Sequence, residues 1–280
     1  MLFSSLCILL FLSATSFNIR NSMLTLYRNK KKEKEKFTDF NHIFKDNPSK
    51  LIISTPGGLF GFYFMGVSSF LKDNYNLTNY IFSGASAGAW NSLFLSLKKD
   101  DKPFIDEMLK TDIKNTKSIL KLEKKMKSII LKNYNESDFD LDKLYLGVTV
   151  LQRAQIKLCV YSDFTSLEDA VNCCIASSHI PFVTGGPFHL YRNRLSFDGG
   201  FFSYPYINVT TPSLIIEQGL WDKPKKEDTN SNMTIISCSM ESLFNLNNIN
   251  FTLSELYHAG YNDSMKNKMT LDKIFLQNEF

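Results

Sequence analysis

Two segments of this sequence each run from an apolar strand through a glycine-containing turn into a helix. Residues 51–71 begin with β-branched residues, pass three glycines and continue into an aromatic-rich helical pattern. Residues 79–97 repeat this order with a strand-like "NYIFS", the turn "GASAG" and apolar residues at three- and four-residue steps. Consecutive units of this kind build a parallel sheet, in which both turns lie along the same edge. The chain is therefore predicted to be an α/β protein.

The second turn surrounds one serine with small residues. Ser86 has an alanine on each side, and Gly84 and Gly88 lie outside them. G-x-S-x-G between a strand and a helix is typical of a nucleophile elbow, a tight turn that exposes the serine hydroxyl. The start of the following helix also favours negative charge that develops beside it. The alternative is that the small residues only let a strand and a helix pack closely.

The first turn has the composition of an oxyanion hole. Gly57, Gly58 and Gly61 allow backbone N–H groups to point into a site without interference from a Cβ atom. A dinucleotide-binding loop is the alternative, but no acidic residue follows a second strand at the distance that such a loop requires.

A catalytic base is less evident from local patterns. The chain contains four histidines, none of them in a recognisable local motif: His42, His179, His189 and His258. Asp198 follows a strand-like stretch and precedes Gly199 and Gly200. By itself, an aspartate before two glycines indicates only a turn.

Together these motifs resemble the patatin-like phospholipase family, most closely the branch that contains adiponutrin and adipose triglyceride lipase. The resemblance extends from about residue 50 to about residue 264. It includes a glycine turn, an unchanged G-A-S-A-G-A, a helix that ends in S-x-x-I-P-F, a D-G-G and a closing helix. The corresponding segments are Pro56–Gly66, Gly84–Ala89, Cys174–Phe182, Asp198–Gly200 and Glu255–Ser264.

This resemblance implies a three-layer α/β sandwich with a mainly parallel sheet and a Ser–Asp dyad that uses no histidine, cofactor or metal. In that mechanism Ser86 attacks an ester carbonyl, Asp198 accepts its proton, and Gly57 and Gly58 donate to the oxyanion. Water activated by Asp198 then hydrolyses the acyl-enzyme. The implied substrates are phospholipids or acylglycerols at a membrane or lipid-droplet surface. An ordinary aspartate has a pKa of about 3.9, and a dry pocket that raises it would give a better base.

Two departures from the family pattern leave alternatives open. Pro56 stands where the family has the first glycine of the turn, and proline has no N–H to donate. Tyr204 precedes Pro205 where the family often has asparagine. A catalytically weak or inactive lipid-binding protein is therefore one alternative. The other is an α/β-hydrolase with a Ser–His–Asp triad that uses His258, although the short segment before the elbow leaves no room for the usual preceding strands.

The amino-terminal 49 residues differ in composition from the rest. Residues 1–19 carry no charged side chain and are predicted to be a signal peptide or membrane anchor, which indicates the secretory pathway or a membrane location. Residues 20–49 are predicted to be a basic linker. Its "RNKKKEKEK" carries six basic and two acidic residues, a net charge that equals the +4 of the whole chain. Such a tract can attract anionic lipid, whereas the lack of interleaved aromatic residues argues against nucleic acid.

Residues 50–280 are predicted to form one lipase domain. The lysine-rich residues 103–134 have a partly helical apolar face, typical of one or two helices that cover the sheet; the alternative is an interfacial helix that docks on lipid. Cys173 and Cys174 are adjacent on a predicted helix, which favours burial over a disulfide, and no metal-binding spacing occurs. The remaining predicted elements are strands at 144–151, 156–162 and 233–238 and a helix at 166–178.

Overall fold

The computed structural model describes residues 50–111, 118–152, 155–201, 213–221 and 251–276. Within these ranges one sheet contains the strands β1 (Lys50–Ser54), β2 (Tyr80–Ala85), β3 (Leu144–Gln152), β4 (Gln155–Tyr161), β5 (His189–Tyr191), β6 (Arg194–Phe197) and β7 (Leu214–Ile216). The helices are α1 (Gly61–Asn74), α2 (Ala87–Ser96), α3 (Lys102–Leu109), α4 (Ile119–Asn133), α5 (Leu167–Ser177), α6 (Leu253–Lys266) and α7 (Lys268–Phe275). Short 3-10 helices occur at Gly58–Phe60, Glu136–Asp138, Leu141–Lys143 and Gly199–Phe201.

The sheet has the strand order β5-β6-β3-β2-β1-β7, with β4 also paired to β3. Parallel pairs join β7 to β1, β1 to β2, and β2 to the first half of β3. Beyond these, β4 and β6 pair antiparallel with β3, and β5 pairs antiparallel with β6. All six residues of β2 are buried, as expected for a central parallel strand that is covered on both faces. The predicted three-layer α/β sandwich with a mostly parallel sheet is confirmed.

The lysine-rich segment forms two helices, α3 and α4, with residues 112–117 between them outside the described ranges. Their apolar residues, among them Phe104, Met108, Met126 and Ile130, are buried in the core. The buried apolar residues of α3 and α4 therefore cover the protein interior, as the first interpretation of this segment predicted.

The closing helix α6 packs directly on α1 through two glycines. A Cβ atom on Gly66 of α1 would lie 2.0 Å from the carbonyl oxygen of Tyr257, and one on Gly260 of α6 would lie 2.0 Å from that of Tyr63. Only glycine permits this contact, because no real Cβ atom approaches a carbonyl oxygen so closely. The crossing fixes α1, and with it the glycine turn that precedes α1.

Most of the other predicted elements occur within one or two residues of their expected limits. The strands predicted at 144–151 and 156–162 are β3 and β4, and the helix predicted at 166–178 is α5, in which Cys173 and Cys174 are buried. Strands β5 and β7 are only three residues long and were not predicted. The targeting segment, the basic linker, Tyr204 with Pro205 and the strand at 233–238 lie outside the described residues.

Candidate active site

The two strand–turn–helix units lie side by side in the structure. Strands β1 and β2 are parallel neighbours, and Ser54 at the end of β1 is paired with Gly84 in β2. Because the register aligns the ends of the strands, the glycine turn after β1 and the G-A-S-A-G turn after β2 start at the same edge of the sheet.

Ser86 occupies a strained turn between β2 and α2. Its φ and ψ angles are 55° and −127°, a conformation that a non-glycine residue rarely adopts and that often marks a functional site. A Cβ atom on Gly88 would lie 1.9 Å from the carbonyl oxygen of Ser54, and one on Gly84 would lie 2.3 Å from that of Gly88. The small residues of the motif thus allow a turn that larger side chains would prevent.

A second serine holds the backbone of the elbow in place. The N–H of Ser86 donates to the hydroxyl of Ser177 over 2.8 Å, and this hydroxyl donates to the carbonyl oxygen of Gly147 in β3 over 2.6 Å. Ser177 is the last residue of α5 and is fully buried. It belongs to the S-x-x-I-P-F segment, but the sequence did not identify its role because its partners are remote in the chain.

Asp198 lies directly against the Ser86 side chain. The Ser86 hydroxyl donates to Oδ2 of Asp198 over 2.6 Å, and the N–H of Gly200 donates to Oδ1 over 2.7 Å. The backbone N–H of Asp198 donates to the carbonyl oxygen of His179 over 2.7 Å. Both side-chain oxygens of Asp198 are therefore fixed, and one of them points at the serine hydroxyl.

The environment of Asp198 changes its protonation. The residue is only 5% exposed. Burial raises the pKa of its carboxyl to about 6, and the hydrogen bonds from Ser86 and Gly200 offset part of that rise. This burial makes Asp198 a stronger base than an exposed aspartate.

The glycine turn after β1 contributes to the cavity beside this pair. Gly58 has a positive φ of 54° and lines the cavity together with Ser86 and Asp198. Gly57 precedes it and packs on the ring of Phe64, which a Cβ atom would approach to 2.7 Å. Gly61, at the start of α1, accepts a hydrogen bond from Asn91 through its carbonyl oxygen.

The other two motif glycines and Pro56 lie around the aspartate. A Cβ atom on Gly199 would come within 2.2 Å of the carbonyl oxygen of Gly147. One on Gly200 would lie 3.0 Å from the ring carbons of Pro56 and 2.9 Å from Oδ1 of Asp198. The proline ring is therefore a neighbour of the segment that donates to the Asp198 carboxylate.

The described histidines take no part in this contact. His179 is buried beside His189, and burial, with a smaller effect of His189, lowers its pKa to about 4. His258 is exposed on α6 and contacts the ring of Tyr257. None of the three lines the cavity around Ser86, and His42 lies outside the described residues. This geometry disfavours the triad interpretation, because Asp198 contacts the serine with no imidazole between them.

The cavity itself is mainly apolar. Its walls come from α1, α2, α3 and α4 and include Phe62, Met65, Trp90, Phe94, Phe104 and Met126. Such a lining suits a hydrocarbon chain. One carboxyl besides that of Asp198 also lines the cavity, that of Glu123 in α4, which the sequence did not identify.

The described ranges contain no cluster of three or more histidine, cysteine, aspartate or glutamate side chains that could hold an ion. No helix among the described elements has the length and apolar composition needed to cross a membrane.

Comparison with known proteins adds one finding on the family. The family model described as patatin-like phospholipase matches residues 57–206, more than half of the chain. The match includes the glycine turn, the elbow and the D-G-G segment. A search of curated proteins finds no match.

Proposed function

This chain belongs to the patatin-like phospholipase family, and we propose that it hydrolyses carboxylic esters of phospholipids or acylglycerols through a Ser86–Asp198 dyad. Family membership supports a lipid acyl hydrolase in general. The observation that carries the dyad is the 2.6 Å hydrogen bond from the Ser86 hydroxyl to Asp198, at the edge of an apolar cavity.

The proposed reaction has two steps. Asp198 accepts the proton of Ser86 while Oγ attacks the ester carbonyl, and the N–H groups of Gly57 and Gly58 donate to the oxyanion. The protonated Asp198 then gives its proton to the departing alcohol, which leaves an acyl group on Ser86. In the second step Asp198 takes a proton from water, the hydroxide attacks the acyl group, and the fatty acid departs as Ser86 regains its proton.

A lipid-panel assay tests this proposal directly. Purified protein is incubated with phospholipids, lysophospholipids and mono-, di- and triacylglycerols, and the released fatty acid is measured with the Ser86→Ala protein as the matched control. Release that depends on Ser86 supports the proposal. Binding of lipid without release of fatty acid would favour the alternative, a catalytically inactive lipid-binding protein.

The panel also tests a closer relationship. We propose that the chain is most similar to the branch with adiponutrin and adipose triglyceride lipase, because its turn, its aromatic-rich helix start and its closing helix resemble that branch. Preference for acylglycerols over phospholipids would support this assignment, and the reverse preference would count against it.

Pro56 provides a prediction about the oxyanion hole. If Gly57 and Gly58 are the donors, replacing Pro56 with glycine should change the turnover of a soluble ester by less than about threefold. The same change should lower the free energy of unfolding by about 0.4–1 kcal/mol, because glycine gives the unfolded chain more freedom. Turnover and thermal unfolding of both proteins are the measurements, and a tenfold or greater gain in turnover would identify position 56 as a required donor.

We also propose that residues 1–36 direct the protein to a membrane or into the secretory route, on the basis of the charge-free start and the basic tract behind it. Deleting residues 1–36 should then move the protein from the membrane fraction to the soluble fraction of cells. Hydrolysis of a soluble short-chain ester should persist, because the dyad lies in residues 50–280. Identical fractionation of the two proteins would contradict the targeting role.

A further inference from the structure

A second buried carboxyl lies in the catalytic cavity and has no part in the proposed reaction. Glu123 of α4 is 4% exposed, although most of the neighbouring lysines of α4 are exposed. It lines the same cavity as Ser86 and Asp198, among mainly apolar walls. Burying a carboxyl in such surroundings is unfavourable unless it is hydrogen bonded, so its presence calls for a partner.

Some of the polar atoms in this cavity have no hydrogen-bond partner among the described residues. Oε2 of Glu123 has no hydrogen-bond partner within the described ranges, and neither has Oδ1 of Asn91, which lines the same cavity. The amide nitrogen of Asn91 is engaged, since it donates to the carbonyl oxygens of Gly61 and Ala87. Buried polar atoms in folded proteins almost always have partners, and a polar group on a ligand in this cavity can satisfy both of these atoms.

The protonation of Glu123 limits what that ligand can be. Burial raises the pKa of its carboxyl well above the ordinary value, the charge of Asp198 raises it further, and the nearby Ser178 side chain offsets part of the rise. Burial therefore favours the uncharged acid, which has one O–H donor and a carbonyl acceptor.

Three classes of polar group can be compared at this position. An anionic group would be repelled by Asp198 and has no proton to give to Oδ1 of Asn91. An ammonium group would lose its strong hydration in a mainly apolar cavity, where Ser86 and Gly200 already donate to the Asp198 carboxylate. A hydroxyl is uncharged and both accepts and donates, so it matches a protonated carboxyl and a carbonyl oxygen.

We propose that Glu123 binds a free hydroxyl of the substrate and selects lipids that carry one close to the ester that is cleaved. That the ligand is a lipid rests on the proposed function. That it carries a hydroxyl is inferred from the polar atoms of Glu123 and Asn91 in the cavity. The hydroxyl has two possible sources, the unesterified glycerol carbon of a monoacyl lipid and a hydroxylated acyl chain. Asn91 is the additional acceptor for it.

Binding of ethers that cannot be hydrolysed tests this proposal without requiring turnover. The ligands are hexyl propyl ether and two derivatives that each add one hydroxyl two carbons from the ether oxygen, 1-hexyloxypropan-2-ol on the alcohol side and 1-propoxyhexan-2-ol on the acyl side. Calorimetric titration of the full-length protein should give at least tenfold tighter binding for one of the two alcohols than for the plain ether, because a site built to hydrogen-bond a hydroxyl discriminates against an analogue without it. The preferred alcohol identifies the source of the hydroxyl.

Two substitutions assign that preference to Glu123. Glu123→Leu removes the donor and acceptor, and should bind all three ligands within about twofold of one another. Glu123→Gln retains both kinds of group and should keep at least a threefold preference. Near-ultraviolet circular dichroism checks the fold, and the leucine variant should unfold at the same or a higher temperature because an unpaired buried polar atom is removed.

The outcomes separate this inference from the proposed function. Equal binding of all three ethers by the natural protein would overturn the inference, even if the leucine variant did not fold. A full hydroxyl preference in folded Glu123→Leu would also overturn it, because another residue would then bind the hydroxyl. A hydroxyl preference that depends on Glu123, in a protein that releases no fatty acid from any lipid, would support the inference and reject the proposed hydrolase.

Discussion

Replacing Ser86 with alanine should reduce ester hydrolysis to background, a loss of at least about a thousandfold, while the protein remains folded. The substitution removes the atom that forms the acyl-enzyme and leaves the rest of the turn unchanged. The backbone hydrogen bond from residue 86 to Ser177 does not involve the lost hydroxyl, so the elbow should persist. Initial rates on a soluble short-chain ester, with circular dichroism alongside, are the measurements.

Asp198→Asn should also have a large effect, a loss of about a hundredfold or more. Asparagine can keep the acceptor for the N–H of Gly200, but its amide cannot take a proton from Ser86. His258→Gln is the matched control, because His258 is exposed on α6 and is expected to be dispensable. If His258→Gln lost as much activity as Ser86→Ala, a triad would replace the dyad.

The second large effect is the dependence of the reaction on pH. Only ionised Asp198 can accept the proton of Ser86, and burial raises its pKa to about 6. The ratio kcat/KM should therefore be nearly constant above about pH 7 and fall about tenfold for each pH unit below 6. A pH-stat assay with a soluble ester measures this profile, and circular dichroism at each pH checks that the protein is folded. A rate that is independent of pH between 5 and 7 would contradict an Asp198 base whose pKa is raised to about 6.

The same pKa predicts how Asp198 affects stability. Its value in the folded protein lies above the ordinary value of 3.8, so the folded state binds the proton more tightly than the unfolded state. The contribution of Asp198 to the free energy of unfolding should decrease as the pH rises from about 4 to about 6, by about 3 kcal/mol in all. Asparagine does not titrate, so the Asp198→Asn protein does not undergo this decrease in the free energy of unfolding. Its stability relative to the natural protein should therefore increase between about pH 4 and about pH 6 and then level off.

Comparing the two proteins also removes the effect of His179. Burial lowers the pKa of His179 to about 4, so its contribution to stability increases with pH between about 4 and 6.5, opposite in sign to that of Asp198. Because both proteins contain His179, its contribution cancels in the difference. A stability difference that does not change between pH 4 and pH 7 would contradict the raised pKa of Asp198.

The parts of the fold that the sequence predicted are those with local causes. A nucleophile elbow needs small residues within two positions of the serine, and the helix and strand beside it follow from apolar periodicity over about ten residues. Ser86 and its turn could thus be identified from residues 79–97 alone. The local pattern around Asp198 predicted only a turn. Its pairing with Ser86 was implied by the resemblance to a family.

What the sequence could not provide depends on contacts between remote segments. The hydroxyl of Ser177 accepts a hydrogen bond from the N–H of Ser86, which lies 91 residues earlier in the chain. The raised pKa of Asp198 arises from burial, which no local sequence pattern reveals. Glu123 had a detectable pattern: it follows Ile119 by four residues and precedes Met126 by three, so it falls on the apolar face of α4. Because α4 is rich in lysine, the sequence alone did not distinguish the buried Glu123 from the exposed charged residues of the helix.

Active-site labelling tests the central claim most directly. A fluorophosphonate reacts with a serine hydroxyl that is activated as a nucleophile, and mass spectrometry of the digested protein locates the adduct. We expect one adduct per chain on the peptide that contains Ser86, slower labelling below pH 6, and no adduct at that peptide in the Ser86→Ala or Asp198→Asn protein. Ester hydrolysis by a natural protein that remains unlabelled at Ser86 would contradict the account.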